Sequence, residues 1–220
     1  MKTALIIGST GLTGSHLLQQ LLDSKEYEKV ISFSYRETKE THPKLVKHIV
    51  DFDNPEEFCH LVKGDDFFCT IGTTIKKAGS KEAFRKVDFT YPQHFANCAM
   101  ENGVSQFLII SAMGADSKSS NFYSRTKGEI EEYLNAGTFK SVAIMRPSLL
   151  LGDREEFRFA ERIGGVIMKL LSFAFVGPLA KYKAIEAKTL ANAIYTIAQK
   201  NNSGTKIYLS DKLQEIGKAK

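Results

Sequence analysis

At 220 residues the chain is long enough to bury one substantial core and short for two. Its 43% hydrophobic and 25% charged residues are ordinary for a soluble globule, and five prolines with no low-complexity tract argue against disorder. The net charge of +5 is scattered, with no basic block longer than Lys76-Lys77, which argues for a solvated surface and a phosphate-bearing small ligand rather than nucleic acid.

The chain opens with "TALIIG", a continuous apolar run that reads as a strand buried on both faces. "TGLTGSHLLQQLLD" follows with leucines at helical spacing. Val30–Tyr35 and Val46–Phe52 read as the second and third strands. Asn54-Pro55-Glu56-Glu57 predicts a capped helix start, with Asn54 as the cap and two acids at the positive end of the dipole. Asp65–Gly72 is the fourth strand. A helix is expected from about Ser80 to Asn102, bent at Pro92. Gln106–Ala112 is the fifth strand, a helix carries Tyr123 to about Asn135, and Lys140–Pro147 is the sixth strand. Helical stretches near Glu155–Phe175 and Lys188–Lys200, a last strand over Lys206–Ser210 and a short tail complete the order.

Strands alternating with helices predict an α/β fold, a doubly wound Rossmann-type parallel sheet. One domain is expected over residues 1–220, with substrate-side or lid elements at about 149–187 inserted before the last helix and strand. The apolar run Val166–Ala180 holds 15 residues, contains Lys169 and is broken by Gly177-Pro178. It is too short for a bilayer span, so no membrane partner is expected; a buried helix, a lid or a homodimer contact fits better. Cys59, Cys69 and Cys98 have no metal-ligand spacing. Their odd number and the absence of a signal peptide predict reduced thiols in the cytoplasm, and the five scattered histidines form no metal constellation.

"GSTGLTG" lies between the first strand and the first helix and holds Gly8, Gly11 and Gly14. In that context the residues Gly8, Ser9, Thr10, Gly11, Leu12, Thr13 and Gly14 are candidates for holding a dinucleotide. Gly8 lets the chain turn off the strand, Gly11 clears space for a pyrophosphate, and Gly14 lets helix and sheet pack closely. The helix N-terminus supplies amides and a positive dipole for the phosphates. The second strand ends Ser34-Tyr35-Arg36, with no acid before Glu37. A guanidinium suits a ribose 2′-phosphate, so NADP(H) is favoured over NAD(H), with Tyr35 and Arg36 at the adenosine end. Asp51 and Phe52 are candidates for framing the adenine, a plain turn being the other use of Asp51. Thr70, Ile71 and Gly72 should pass along the middle of the cofactor, and Pro147 and Ser148 beside its nicotinamide. Arg154 suits an acidic substrate, the cofactor phosphate or a surface ion pair, and Phe157, Phe159, Phe173 and Phe175 suit an apolar pocket or the core.

Three Tyr-x-x-x-Lys pairs exist: Tyr35/Lys39, Tyr123/Lys127 and Tyr208/Lys212. Ligands in open α/β sheets sit beyond the carboxyl ends of the strands, and only Tyr123 begins a helix there, twelve residues after Ser111. Glycine loop, Ser111 and Tyr123/Lys127 in this order resemble the short-chain dehydrogenase/reductase superfamily. "GTTIKKAGSKEAFRKVDFTY", "SAMGADSKSSNFYSRTKGEIE" and "MRPSLLLGDREEFR" resemble its atypical, Tat-interactive oxidoreductase-like branch over nearly the whole chain. The resemblance implies an NADPH-binding Rossmann fold acting on a small carbonyl or alcohol substrate by hydride transfer. It implies Tyr123 as the proton donor, Lys127 as the group that tunes the phenol and holds the nicotinamide ribose, and Ser111 as the group that polarises the carbonyl. One departure stands out: Ala112 and Met113 follow Ser111 where relatives often have a second serine. That departure supports the alternative of an NADPH-binding regulator or sensor with little turnover. A sugar-nucleotide epimerase or dehydratase is a third reading, for which 220 residues leave little room.

Overall fold

The N-terminal apolar run becomes an inner strand of a seven-stranded sheet. In this computed structural model, which describes residues 1–152, 183–200 and 202–219, β1 spans Lys2–Ile7 and its last four residues are buried. Along β1 the side chains alternate: Ala4 and Ile6 enter one core, Leu5 and Ile7 the other. The remaining strands of the sheet are β2 (Tyr27–Ser34), β3 (Leu45–Ile49), β4 (Asp66–Cys69), β5 (Gln106–Ile110), β6 (Ser141–Arg146) and β9 (Gly204–Leu209). Their order is β3-β2-β1-β4-β5-β6-β9 and every pairing is parallel. A two-stranded pair, β7 (Leu150–Leu151) with β8 (Ile185–Glu186), stands apart from it. The order reverses between β1 and β4, so the crevice beyond their carboxyl ends is the expected ligand position.

Helices cover both faces. On one lie α1 (Leu12–Asp23), α7 (Ala187–Ala198) and α8 (Ser210–Lys218), packed through Leu17, Leu21, Leu190, Ile194 and Leu213. On the other lie α2 (Pro55–Phe58), α5 (Tyr91–Glu101) and α6 (Phe122–Asn135). That second core is aromatic: Phe67 stacks on Phe107 at 4.8 Å and Phe58 on Phe95 at 4.6 Å. Each such fully buried ring stabilises the fold by about 1.5–3 kcal/mol relative to exposure. At the amino ends of the strands, away from the crevice, buried Asp66 accepts from Lys2 (3.0 Å), Tyr27 (2.6 Å) and Gln106 (3.1 Å). Burial first, and then Asp66, pushes the Tyr27 phenol well above its ordinary pKa. This network satisfies a buried charge as structure requires.

Several elements differ from the expectations. β3 ends at Ile49, so Asp51 and Phe52 lie in a turn: Asp51 accepts from Asp53 N (3.0 Å) and Asn54 Nδ2 (2.8 Å). Asn54 occupies the cap position without capping through its side chain, because that amide is held by Asp51. After a short helix α3 (Ile75–Ala78), the long helix is three pieces: α4 (Lys81–Arg85), a π turn (Lys86–Thr90) and α5. Pro92 has no N–H to give the Asp88 carbonyl, and the chain widens just before it, with Tyr91 N bonding Lys86 O. The expected tail is helix α8. The expectation of three reduced thiols is corrected as well. Cys59 and Cys98 form a disulfide with Cα atoms 4.9 Å apart, while Cys69 is free and buried. A separation of 39 residues hid this pair, because only docking of the segment after α2 against α5 brings the two together. The expected helix Glu155–Phe175, the Val166–Ala180 run, Arg154, Phe157, Phe159, Phe173 and Phe175 lie outside the described residues.

Candidate active site

Beyond the carboxyl ends of β1, β4, β5 and β6 lies a cavity of about 510 Å³. Its walls include Gly11, Leu12 and Thr13 of the glycine loop, Thr70–Thr74 after β4, Ser111 and Ala112 after β5, Tyr123 and Lys127 of α6, and Pro147–Gly152 after β6.

The glycine loop is tight for reasons visible atom by atom. Gly8 has φ +81°, and a Cβ there would lie 2.6 Å from Ile71 N. A Cβ on Gly14 would lie 2.1 Å from the Gly8 carbonyl oxygen and 2.6 Å from Thr70 Oγ1. Gly11 is different: its Cβ would meet Gly8 O at 3.0 Å and little else, because that position borders the cavity. The start of α1 has no side-chain cap and no acid in its first turn, so its unpaired amides carry an uncompensated positive dipole end. Thr13 Oγ1 is buried beside this loop without a hydrogen-bond partner. An orphaned hydroxyl, a bare helix start and a wall without side chains fit a dinucleotide diphosphate. Ser9 is turned inward, its hydroxyl 2.8 Å from that of Ser32, and Thr70 Oγ1 donates to Ile7 O at 2.8 Å.

Tyr123 and Lys127 are placed by the start of α6. Asn121 caps that helix by accepting from Ser124 N at 3.1 Å. Lys127 is buried; its ammonium lies 2.7 Å from Asp88 Oδ1 and 3.4 Å from Ile110 O. Asp88 comes from the π turn, is itself buried, and accepts from Thr73 N at 2.9 Å. Burial pulls the Lys127 pKa down, but the Asp88 carboxylate and then the Tyr123 oxygen outweigh it and hold the value above that of an ordinary lysine. The raised lysine therefore contributes stability that is fully present below about pH 10.4 and is lost as pH rises through the raised value. Gly128 follows because a Cβ there would lie 2.1 Å from Ser117 N, where the preceding loop crosses α6.

Ser111 sits in the cavity wall, but its hydroxyl donates to Glu131, a buried carboxylate one turn beyond Lys127. Arg146 at the end of β6 grips the same carboxylate, with Nε 3.0 Å from Oε1 and Nη2 2.5 Å from Oε2. Ser148 Oγ is engaged with Lys183 O and, at 2.9 Å, with Ser210 Oγ. Pro147 O accepts from Met113 N at 3.2 Å.

The candidates thus divide. Gly11, Leu12, Thr13, Thr70, Ile71, Gly72, Ser111, Tyr123, Lys127, Pro147 and Ser148 share the cavity. Gly8, Ser9, Thr10, Gly14, Tyr35, Arg36, Asp51 and Phe52 do not line it. Tyr35 is 65% exposed and meets the buried Phe52 edge-on at 5.6 Å, with the Arg36 guanidinium 5.7 Å above its ring. Of the other Tyr-x-x-x-Lys pairs, Tyr35 and Lys39 lie past β2, while Tyr208 lies in β9 and Lys212 pairs with Glu215. Asp88, Glu131 and Arg146 are the residues that sequence reasoning missed; a lone acid four residues before Pro92 was the available sign for Asp88.

A family model described as NAD(P)H-binding matches residues 8–153. The chain belongs to this NAD(P)H-binding family. The chain is similar to rat Protein HTATIP2, 34% identical over 164 residues, covering 73% of this chain and 67% of that protein. Another relative is "Protein FMP52, mitochondrial" of Meyerozyma guilliermondii, 34% identical over 197 residues, covering 88% and 84%. These family relatives bear out the likeness to the atypical short-chain dehydrogenase/reductases. Among solved structures, Bordetella bronchiseptica WbmH in complex with NAD+ superposes with a TM-score of 0.71 at 17% identity, covering 100% of this chain and 80% of that one. At that identity the likeness shows the Rossmann-type fold. The cytoplasmic expectation is corrected: relatives from Meyerozyma guilliermondii, Debaryomyces hansenii and Candida glabrata, 34–36% identical, are named mitochondrial. Composition and scattered cysteines carry no address, so they were a poor guide to compartment.

Proposed function

We propose that this protein is an NADP(H)-dependent oxidoreductase that transfers a hydride between the cofactor and a small carbonyl or alcohol substrate. One observation carries the reading: the Tyr123 phenol and the Lys127 ammonium share one cavity with the first turn of α1. The bound nicotinamide would supply the hydride. Gly11, Leu12 and Thr13 would hold the diphosphate through amides and the Thr13 hydroxyl. Gly8 and Gly14 act through the shape of the turn. Thr70, Ile71 and Gly72 would flank the middle of the dinucleotide, with Pro147 and Ser148 beyond them. Tyr123 would give its proton to the substrate oxygen in reduction and take one in oxidation. Lys127, cationic and one turn on, would favour the phenolate and hold the ribose. Ser111 can polarise a carbonyl only after its hydroxyl turns its hydrogen bond away from Glu131, so the main polarising group in this reading is Tyr123.

The preference for NADP(H) rests on Arg36. It is exposed just past β2, and Ser34 Oγ, by donating to Arg36 O at 2.7 Å, tightens the turn that presents it. Arg36→Ala is expected to weaken NADPH binding about 10-fold or more, the scale of one charge-assisted contact, and to leave NADH within about 2-fold. Fluorescence titration with both cofactors checks this; equal losses for both would remove the 2′-phosphate role.

The engaged Ser111 hydroxyl and the neighbouring Ala112 favour a second reading, a nucleotide-binding regulator with little turnover. A carbonyl panel with NADPH separates the two. Turnover abolished by Tyr123→Phe supports the enzyme. Tight NADPH binding, no turnover and indifference to that substitution support the regulator.

A further inference from the structure

Among the described residues of the cavity wall Asp88 is the one carboxylate, and no glycine-loop or Tyr-x-x-x-Lys chemistry calls for it. We propose that Asp88 is a positioning residue for this site: it fixes the Lys127 ammonium in place and in charge, one helical turn from Tyr123. The proposal rests on the reading of Tyr123 and Lys127 as the working pair.

The geometry is that of a built contact. The Asp88 side chain is 0% exposed and that of Lys127 6%, so water solvates neither charge. One carboxylate oxygen meets the ammonium at 2.7 Å, while the other is held by Thr73 N at 2.9 Å, which prevents it from swinging away. The π turn is what aims it, since Pro92 leaves the Asp88 carbonyl without its helical donor and the widened turn sets the side chain toward α6. Gly72 lies over the pair with no side chain: a Cβ there would sit 3.4 Å from Asp88 Oδ1 and 3.8 Å from Lys127 Nζ. The pair is therefore covered by bare backbone on the side where the cofactor would pass.

The groups acting on Lys127 are Asp88 from the π turn, Tyr123 from its own helix and Cys69 from β4. Burial pushes the Cys69 thiol up to about 12, so it stays neutral. Without the Asp88 charge, burial would be opposed by the Tyr123 oxygen and the Ile110 carbonyl alone, which moves the balance toward the neutral amine. A neutral Lys127 neither favours a phenolate nor holds a ribose by charge.

The test titrates Lys127 in the full chain by NMR of its Cε and Nζ nuclei, in wild type and Asp88→Asn, with Lys127→Met to assign the signal. NADPH affinity is followed by fluorescence across pH on the same samples. Wild-type Lys127 should remain charged to about pH 10 or beyond. In Asp88→Asn its titration should move down by about one pH unit or more, a tenfold change in the proton equilibrium. NADPH affinity of that variant should fall as pH rises through the lowered value, while wild type stays flat. Identical Lys127 titrations, or parallel pH dependences of NADPH affinity, would overturn the proposal. Should Asp88→Asn fail to fold, a folded Asp88→Asn/Lys127→Met double variant would support it, by showing that the uncompensated ammonium was at fault. A double variant that also fails to fold would overturn it, because Asp88 would then act through Thr73 alone. A shifted titration in a protein that turns over no carbonyl would sink the hydride-transfer reading and leave the Asp88 assignment standing.

Discussion

Tyr123→Phe is expected to lower turnover about 10²–10⁴-fold, the range of a positioned proton donor, while NADPH affinity stays within about 2-fold. The ring would be kept in place without the hydroxyl: Tyr123 packs against Phe84 at 5.3 Å, and α6 begins at an Asn121 cap that the change does not touch. Lys127 would keep its Asp88 partner at 2.7 Å, so the loss would fall on kcat rather than on cofactor binding. Steady-state rates beside a fluorescence titration decide it. Unchanged kcat would remove Tyr123 as proton donor. An equal loss of NADPH affinity would mean that the phenol holds the cofactor instead of the substrate oxygen.

Gly14→Ala should destabilise the fold outright. Its Cβ would be 2.1 Å from the Gly8 carbonyl oxygen and 2.6 Å from Thr70 Oγ1, both held by the central strands, so α1 would have to shift. Overpacking of this kind costs about 1–3 kcal/mol, which for a chain of this length lowers Tm by about 2–12 °C. Gly11→Ala is the contrasting case. Its nearest clash is 3.0 Å from Gly8 O and the rest of its surroundings is the cavity, so Tm should move by less than about 2 °C while NADPH binding is lost. Calorimetry and cofactor titration on the two variants separate glycine as packing from glycine as approach. If Gly11→Ala keeps NADPH, the diphosphate does not lie over that position.

Much of this was legible along the chain. The run Thr3–Gly8 reads as a doubly covered strand because a residue buried on either face must be apolar, and β1 is that strand. Strand–helix alternation predicts a parallel sheet because parallel neighbours need crossovers, and the sheet is parallel throughout. Tyr123 was separable from Tyr35 and Tyr208 by the order of elements alone, since that order says which helix begins at the carboxyl ends of the strands.

What the sequence determined by itself is therefore the periodic and the local: strand and helix order, the glycine turn, and the phenol and amine one helical turn apart. Tertiary structure alone decided which residues distant along the chain meet. Asp88 faces Lys127 from 39 residues away, and Cys59 reaches Cys98 over the same separation. Glu131 accepts a hydrogen bond from the Ser111 hydroxyl and pairs with the Arg146 guanidinium at once. The reason is physical: periodicity follows from backbone geometry, which repeats along the chain. Buried polar partners are chosen by which groups lose water together, and that depends on how helices dock rather than on spacing.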